Sequence, residues 1–324
     1  MDPKSVKVSA AGLLAQADHD PKKLSLFYTG VTIGFSLICT LLSFLLGLAA
    51  DRSTGLSGLA MRSVLESGQM VLSMAGTVLL PFWQMGFLYT AFCYSKQRSV
   101  DHRCLLEGFR RWGAILRLNI LLAIVLTGLL MVCGYIAVML FTLSPLSDNM
   151  AAKLETMLDT TTATTMTPEM LMSLTPYMGW LFVILFAVLI FVGLPFYYRY
   201  RLSEFALLDD APGALMAIRQ SKRLSWNNRM NLFKLDLSFW WFYLIQIAIT
   251  VIAYGDALLP ALGVTLPIGE NGAFWAFYIL SMGLQFFFTC RYALYYQTSV
   301  ALYYNRLKDS FLTPLTAPPD PTQM

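Results

Sequence analysis

The sequence predicts an all-α, polytopic membrane protein with six transmembrane helices, and two observations lead to this fold class. The 324 residues are 57% hydrophobic and 13% charged, whereas soluble domains average roughly 45–50% and 25%. Six runs of 19 to 30 residues carry no charged side chain, and about 20 apolar residues let a helix cross a bilayer core of ~30 Å. This composition excludes a soluble enzyme, a secreted disulfide scaffold and a nucleic-acid-binding protein.

The uncharged runs place the individual elements. The spans are predicted at about 24–50, 67–94, 118–143, 177–198, 235–255 and 272–292, within a transmembrane domain over residues 24–305. Residues 1–23 are expected to form an amphipathic segment that lies on the inner leaflet, because apolar and basic residues alternate there with a helical period. The proline-rich residues 306–324 are expected to be a disordered tail.

Basic residues predict the orientation of the chain in the membrane. Of the 23 lysines and arginines, 19 lie in the N-terminal tail, the second and fourth connections and the C-terminal tail. Because Lys and Arg are retained on the cytoplasmic side, we expect a multi-pass protein of the cell membrane with both termini in the cytoplasm. Basic cytoplasmic segments bind anionic headgroups, so membrane lipids are the expected partners, and the net charge of +4 requires no nucleic acid.

Spans two and four share a short sequence motif that suggests an internal repeat. Pro81 and Pro195 each stand in Leu-Pro-Phe-aromatic, and aligning them also superposes Trp112 on Trp226. Each proline is expected to kink its span, because it removes a backbone hydrogen bond. The pattern suggests tandem hairpins of two spans, with spans five and six as the most divergent copy. Chance likeness between apolar sequences is the alternative.

Small residues recur four apart in span one, as Gly30-x-x-x-Gly34 and Ser43-x-x-x-Gly47. This spacing puts them on one face and lets another helix approach closely. We expect packing inside one subunit, and the seam of a homo-oligomer is the alternative.

The most distinctive pattern lies between spans four and five. It consists of a tyrosine- and arginine-rich helix end over residues 193–205, an Asp-x-Pro turn at Pro212, Ala-Ile-x-x-Ser at 217–221, and Leu-Phe-x-Leu-x-Leu-Ser-Phe at 232–239. These motifs resemble a family of uncharacterised bacterial integral membrane proteins, domain-of-unknown-function family 975. The chain departs from the family pattern in its paired tryptophans directly after Phe239, which shift the tryptophan register by one residue.

The resemblance is fairly specific over about 50 residues and looser elsewhere. It implies a helical bundle in a bacterial cytoplasmic membrane, and it implies no chemistry, since the family has no established activity. The family is also distantly similar to the membrane domain fused to some glycerophosphodiester phosphodiesterases, whose role is itself obscure.

Polar residues in and near this segment are the candidates for a functional or interfacial site. They are Arg199, Arg201, Glu204, Asp209, Ser221, Asp236 and Arg291. The spacing of Arg201 and Glu204 permits an i,i+3 ion pair. Asp209 and Asp210 are expected to cap a helix that starts near Pro212, because carboxylates satisfy the free amides of a first turn and proline suits that position. Anchoring at the membrane interface is favoured over a ligand site.

Asp236 leads directly into span five, where a carboxylate is costly unless it is paired or hydrated. We expect an ion pair at the inner headgroup level with Lys234, with the neighbouring basic segment or with Arg291. A coupling-ion or proton site is the alternative. Arg291 lies late in span six, where snorkelling into the headgroups explains it equally well.

The sequence contains no recognisable catalytic, metal-binding or nucleotide-binding motif, so we expect no enzyme activity and no cofactor. The favoured function is a non-catalytic membrane scaffold or accessory protein that binds lipid, a protein partner or a second copy in a homo-oligomer. The first alternative is a small permease or exporter of a hydrophobic or amphiphilic solute. The second is an intramembrane lipid-modifying enzyme.

Overall fold

The computed structural model describes residues 3–17, 20–52, 56–160, 168–209, 211, 213–261 and 270–316. These residues form helices and contain no strand. The α-helices are α1 Pro3–Ala15, α2 Pro21–Arg52, α3 Leu56–Ser95, α4 Glu107–Arg110, α5 Trp112–Thr142, α6 Pro145–Thr160, α7 Pro168–Val188, α8 Leu194–Tyr198, α9 Ser203–Asp209, α10 Ala214–Ser225, α11 Arg229–Leu237, α12 Trp240–Ala253, α13 Gly255–Ala261, α14 Glu270–Phe288 and α15 Leu294–Thr316. A 3-10 turn covers His102–Leu106, and π-helical segments cover Leu189–Gly193 and Thr289–Ala293.

Several helices are long and apolar enough to cross a membrane, which confirms the predicted all-α polytopic fold class. Five such stretches occur in the described chain, at Pro21–Ala49, Arg62–Ser95, Trp112–Thr142, Pro176–Asp209 and Gly272–Phe311. A sixth is present if α11 and α12 are counted together as one bent span.

The predicted continuous span at 235–255 is therefore corrected to a broken one. Helix α11 ends at Leu237, α12 begins at Trp240, and their axes differ by 60°. Alone, the 14 residues of α12 rise only about 21 Å. The break is stabilised from outside, because the Lys7 ammonium donates a 2.6 Å hydrogen bond to the Ser238 carbonyl and Phe239 is fully buried.

Spans that follow each other in sequence pack together as three hairpins, α2 with α3, α5 with α7 and α12 with α14. The main hydrophobic core lies at one end of them, where α1, the connections between hairpins, and α15 converge. Its fully buried members include Val6, Phe92, Leu118, Phe205, Leu235 and Tyr304. We call this end the basic end, because its segments carry most of the lysines and arginines of the chain. These segments are the N-terminal helix, residues 96–117, residues 199–239 and α15. That hairpins one and two are copies of a repeat stays a prediction.

The N-terminal helix forms as predicted, and part of it packs on protein. Helix α1 packs against α15 and α3, and its Val6 and Ala10 are fully buried in the main core, whereas its position on the inner leaflet stays a prediction. The Arg306 guanidinium donates a 2.7 Å hydrogen bond to the Ser9 hydroxyl. The apolar face of α1 is thus covered by protein, because the end of α15 offers it a matching apolar surface.

The predicted boundary of a disordered tail at residue 306 is also corrected. Helix α15 continues to Thr316, since Leu307 is buried in the main core and Lys308 is held by an ion pair with Asp209. Residues 317–324 lie outside the described residues.

Two glycines explain how the connection after span two packs onto α3. Gly86 lies against the backbone of Leu105, and Gly108 lies against the backbone of Phe82. A Cβ on Gly86 would lie 2.6 Å from the Leu105 carbonyl carbon, and one on Gly108 would lie 2.9 Å from the Phe82 carbonyl carbon. Only glycine allows the two backbones to approach this closely.

The small residues of span one divide into two groups. Gly47 lies close to Gln69 of α3, as expected for packing inside one subunit. Cβ atoms on Gly30 and Gly34 would meet no atom within 4 Å in the described chain. The described chain therefore shows no close helix contact at the Gly30-x-x-x-Gly34 pair, and the choice between packing inside one subunit and a homo-oligomer seam stays open there.

The two span prolines are accommodated differently. Helix α3 continues through Pro81, whereas Pro195 is the second residue of α8, which directly follows the π-helical segment Leu189–Gly193. A proline lacks the N–H that would bond four residues back, and the wider π turn absorbs the interruption. The last span contains a π-helical segment, Thr289–Ala293, without a proline.

Candidate functional site

A buried polar network at the basic end brings together two of the predicted site residues, Asp236 and Arg201. The Asp236 residue is 7% exposed. Its Oδ2 accepts a 2.9 Å hydrogen bond from the Tyr198 hydroxyl, and its Oδ1 accepts one of 2.9 Å from Tyr296. The Arg201 Nε lies 3.9 Å from Oδ2. We call these four residues and Tyr243, which hydrogen-bonds Tyr296, the Asp236 network.

The direction of each hydrogen bond in this network follows from the number of available protons. Tyr296 donates its single hydroxyl proton to Asp236, and its oxygen accepts from Arg201 Nη2 at 2.7 Å. The Tyr243 and Tyr296 oxygens are 2.6 Å apart, so Tyr243 must be the donor of that bond. Tyr198 and Tyr296 therefore donate directly to the carboxylate, and Arg201 and Tyr243 donate to the Tyr296 oxygen.

Two similar helix ends position Tyr198 and Tyr296 beside Asp236. Tyr198 ends α8, which follows the first π-helical segment, and Tyr296 lies in the first turn of α15, which follows the second. Asp236 itself lies in the last turn of α11, directly before the break in span five. The network therefore joins hairpins two and three at the basic end.

The predicted partners of Asp236 and Arg201 were partly wrong. Arg201 pairs with Asp236 and not with Glu204, because residues 199–202 form a turn and α9 begins only at Ser203, so helical i,i+3 spacing does not apply. Lys234 is exposed, since residues two apart on a helix do not share a face. Arg291 is exposed and belongs to a cavity next to α1 and α2.

Asp209 belongs to a second network. Its side chain is 2% exposed and lies 2.5 Å from the Lys96 ammonium and 2.6 Å from the Lys308 ammonium. The Tyr304 hydroxyl donates a 3.2 Å hydrogen bond to the same carboxylate. This network joins the end of α3, the end of α9 and helix α15.

The predicted capping role of Asp209 is therefore wrong. Helix α10 begins at Ala214 with Gly213 as its N-cap residue, whereas Asp209 is the last residue of α9. A capping side chain must stand at the N-cap position itself, and Asp209 precedes that position by four residues. Asp210 and Pro212 lie outside the described residues.

Ser221 and Arg199 meet across the segment between spans four and five. The buried Ser221 hydroxyl donates a 3.0 Å hydrogen bond to the Arg199 carbonyl, which fastens α10 to the end of α8. The Arg199 guanidinium lies over the Phe196 ring, with 5.9 Å between its carbon and the ring centroid. Both predicted residues thus have structural contacts.

Sequence reasoning missed the residues that complete the two networks. They are Tyr198, Tyr243 and Tyr296 around Asp236, and Lys96, Tyr304 and Lys308 around Asp209. One signal was available: α15 carries several tyrosines in an otherwise core-forming helix, and a buried tyrosine hydroxyl requires a polar partner.

No metal-binding arrangement occurs in the part of the chain that the structure describes, where no group of three or more His, Cys, Asp or Glu side chains is placed to hold a metal ion. The two networks are instead built from carboxylates, cations and tyrosines. They can fix helices relative to one another.

Comparison with known proteins adds no relative. No protein-family model, no curated protein and no solved structure matches the chain. The resemblance to domain-of-unknown-function family 975 therefore stays a prediction that depends on the motifs alone.

The Asp209 network leads to a first testable prediction. Asp209→Asn should lower the free energy of unfolding by about 2 kcal/mol, because it removes the charge that both lysines share. Lys96→Met or Lys308→Met should each cost less, since the other lysine still neutralises Asp209. The measurement is unfolding by SDS titration in mixed micelles. Asp148→Asn, a change at an exposed carboxylate, is the control, and an equal loss for it would contradict this account.

Proposed function

We propose that the protein is a non-catalytic membrane scaffold, an accessory protein that binds membrane lipids at its basic end and holds three helical hairpins in a fixed arrangement. The observation that carries this proposal is the position of the packed core. The main hydrophobic core and both buried ion networks lie at the basic end, where the hairpins meet.

The surfaces of the spans support this function. The most apolar stretch of α2 has no buried residue. In the most apolar stretches of α5 and of Pro176–Asp209, 11% of the residues are buried. Leucine, isoleucine, valine and phenylalanine side chains are exposed along these spans. Apolar surface of this extent must be covered by lipid tails or by a partner.

The ionisable groups of the networks support it as well. Asp236 and Asp209 are each neutralised by cations of the same chain and hydrogen-bonded by tyrosines. A transporter uses ionisable groups near midplane to bind substrate or a coupling ion. Here these carboxylates hold the helix ends together.

Reconstitution tests the proposal. Liposomes that contain the purified protein and a trapped amphiphilic dye should release the dye no faster than protein-free liposomes, and phospholipid should remain bound to the protein after detergent washing. Dye release that stops in Asp236→Asn would overturn the scaffold proposal. Loss of all phospholipid on washing would count against lipid binding.

One observation favours a small permease as the second candidate. Span five is broken by 60° directly after Asp236, and broken spans form the binding sites of many transporters. In addition, the Glu204 carboxylate has no hydrogen bond or ion pair among the described residues. Dye release that depends on Glu204 or Asp236 would support this candidate.

A further inference from the structure

Three charged residues outside both networks line one cavity at the basic end. The cavity has a volume of about 430 Å³ and lies between the end of α1, the start of α2 and the second π-helical segment. Asp20, Lys22 and Arg291 line it together with Leu14 and Leu294. This volume is within the range of small-molecule sites in proteins.

The two cations of this cavity have no hydrogen-bond or ion-pair partner among the described residues. In the described chain, the Lys22 ammonium and the Arg291 guanidinium make no hydrogen bond and no ion pair. The Asp20 carboxylate accepts a 3.0 Å hydrogen bond from the Lys22 backbone amide through Oδ1, and its other oxygen has no hydrogen bond among the described residues. The described residues that line the cavity therefore carry a net charge of +1, and their cations are donors without acceptors among the described residues.

The cavity also lies where the apolar surface of the spans begins. Spans one and six touch beside it, because the Ser25 hydroxyl donates a 3.3 Å hydrogen bond to the Thr289 carbonyl. The neighbouring Leu26 and Phe287 side chains are 55% and 70% exposed. A charged cavity that adjoins exposed apolar helix faces is at the level of lipid headgroups.

The second π-helical segment puts Arg291 at this level. A π turn adds one residue to a helical turn and changes the direction of the side chains that follow, which is frequent at functional sites. Snorkelling alone would bring Arg291 to the surface, but it would not require Lys22 and Asp20 to line the same cavity. The convergence of all three is what distinguishes a binding site.

We propose that this cavity binds the headgroup of an anionic phospholipid, and this inference rests on the lipid-binding function proposed above. The Arg291 guanidinium binds the phosphate in a bidentate manner, with Lys22 as a second cation. Asp20 accepts a hydrogen bond from a headgroup hydroxyl, as in phosphatidylglycerol. Leu14 and Leu294 contact the glycerol and the first methylenes of the acyl chains.

Binding of dioleoylphosphatidylglycerol to the detergent-solubilised full chain tests the proposal, measured by native mass spectrometry. Arg291→Gln and Lys22→Gln should each weaken binding about tenfold, the loss expected for one charge-assisted hydrogen bond. Lys23→Gln is the matched control, since Lys23 is an exposed neighbour of equal charge that does not line the cavity. Unfolding midpoints of all three variants should equal that of the unchanged protein.

Cys290 provides a second readout, because this residue is part of the lining of the same cavity. Phosphatidylglycerol should slow its alkylation by N-ethylmaleimide in the unchanged protein and not in Arg291→Gln. Dioleoylphosphatidylcholine and inorganic phosphate should not slow it.

Two results would overturn the site. Equal weakening by Lys23→Gln and Lys22→Gln would mean general attraction to a basic surface, and equal protection by inorganic phosphate would mean a free-anion site. Either result leaves the scaffold function standing, whereas dye release from liposomes overturns that function and not this site.

Discussion

Gly86→Ala is expected to lower the free energy of unfolding by about 3 kcal/mol or more. The added methyl group would overlap the carbonyl oxygen of Leu105 and lie 2.6 Å from its carbonyl carbon. Backbone cannot rotate away as a side chain can, so α3 and the 3-10 turn His102–Leu106 must separate. Leu105, which is fully buried between them, would lose its packing.

Gly108→Ala is expected to have a similar effect from the opposite side of the contact, because its methyl group would overlap the Phe82 carbonyl. Gly128→Ala is the control, since nothing lies within 4 Å of a Cβ there. In the middle of α5, alanine should be neutral or stabilising by up to about 1 kcal/mol. SDS titration measures all three variants, and equal stability of Gly86→Ala and Gly128→Ala would show that the close contact does not exist.

The second large effect is expected for the pair of Asp236 and Arg201. Asp236→Leu should cost about 3–5 kcal/mol, because the Arg201 side chain is only 13% exposed and would lose its counter-charge. Arg201→Met should cost less, since Tyr198 and Tyr296 still donate to the carboxylate. The double variant, Asp236→Leu with Arg201→Met, should lose less unfolding free energy than the two single variants lose together. The difference should be about 1–3 kcal/mol.

The exposed pair of Arg62 and Glu66 provides a matched cycle. Its atoms are 2.8 Å apart, closer than those of Arg201 and Asp236, but its side chains are 55% and 56% exposed. Its coupling should therefore stay below about 0.5 kcal/mol. If the energies of the Asp236 and Arg201 variants add within that limit, the buried network does not act as a unit and does not join hairpins two and three.

The spans could be predicted because their signal is local. Each uncharged run of about 20 residues or more is sufficient evidence for a membrane-crossing helix, whatever surrounds it. The amphipathic period of α1 was likewise visible in the sequence, although not the surface that covers it. The break at Ser238–Phe239 could not be predicted, because it is held by Lys7 and by the burial of Phe239, both of which depend on distant parts of the chain.

The candidate site was only partly predictable for the same reason. The sequence predicts that Asp236 needs a partner, since a carboxylate at the edge of an apolar span is costly. The choice of Arg201, and not Lys234 or Arg291, depends on how α11 is rotated against α8. The sequence neighbours of Asp209 predict a helix cap, whereas its partners in the structure, Lys96 and Lys308, lie 113 and 99 residues away.

The amino-acid sequence by itself determined that the chain is helical and polytopic, because the transfer of apolar residues into lipid is a property of each segment alone. Only the tertiary structure decided which carboxylate meets which cation, where span five breaks, and which cations converge on the cavity beside Arg291. Those outcomes depend on the rotation and relative position of packed helices, and these are set by contacts between residues far apart in the chain.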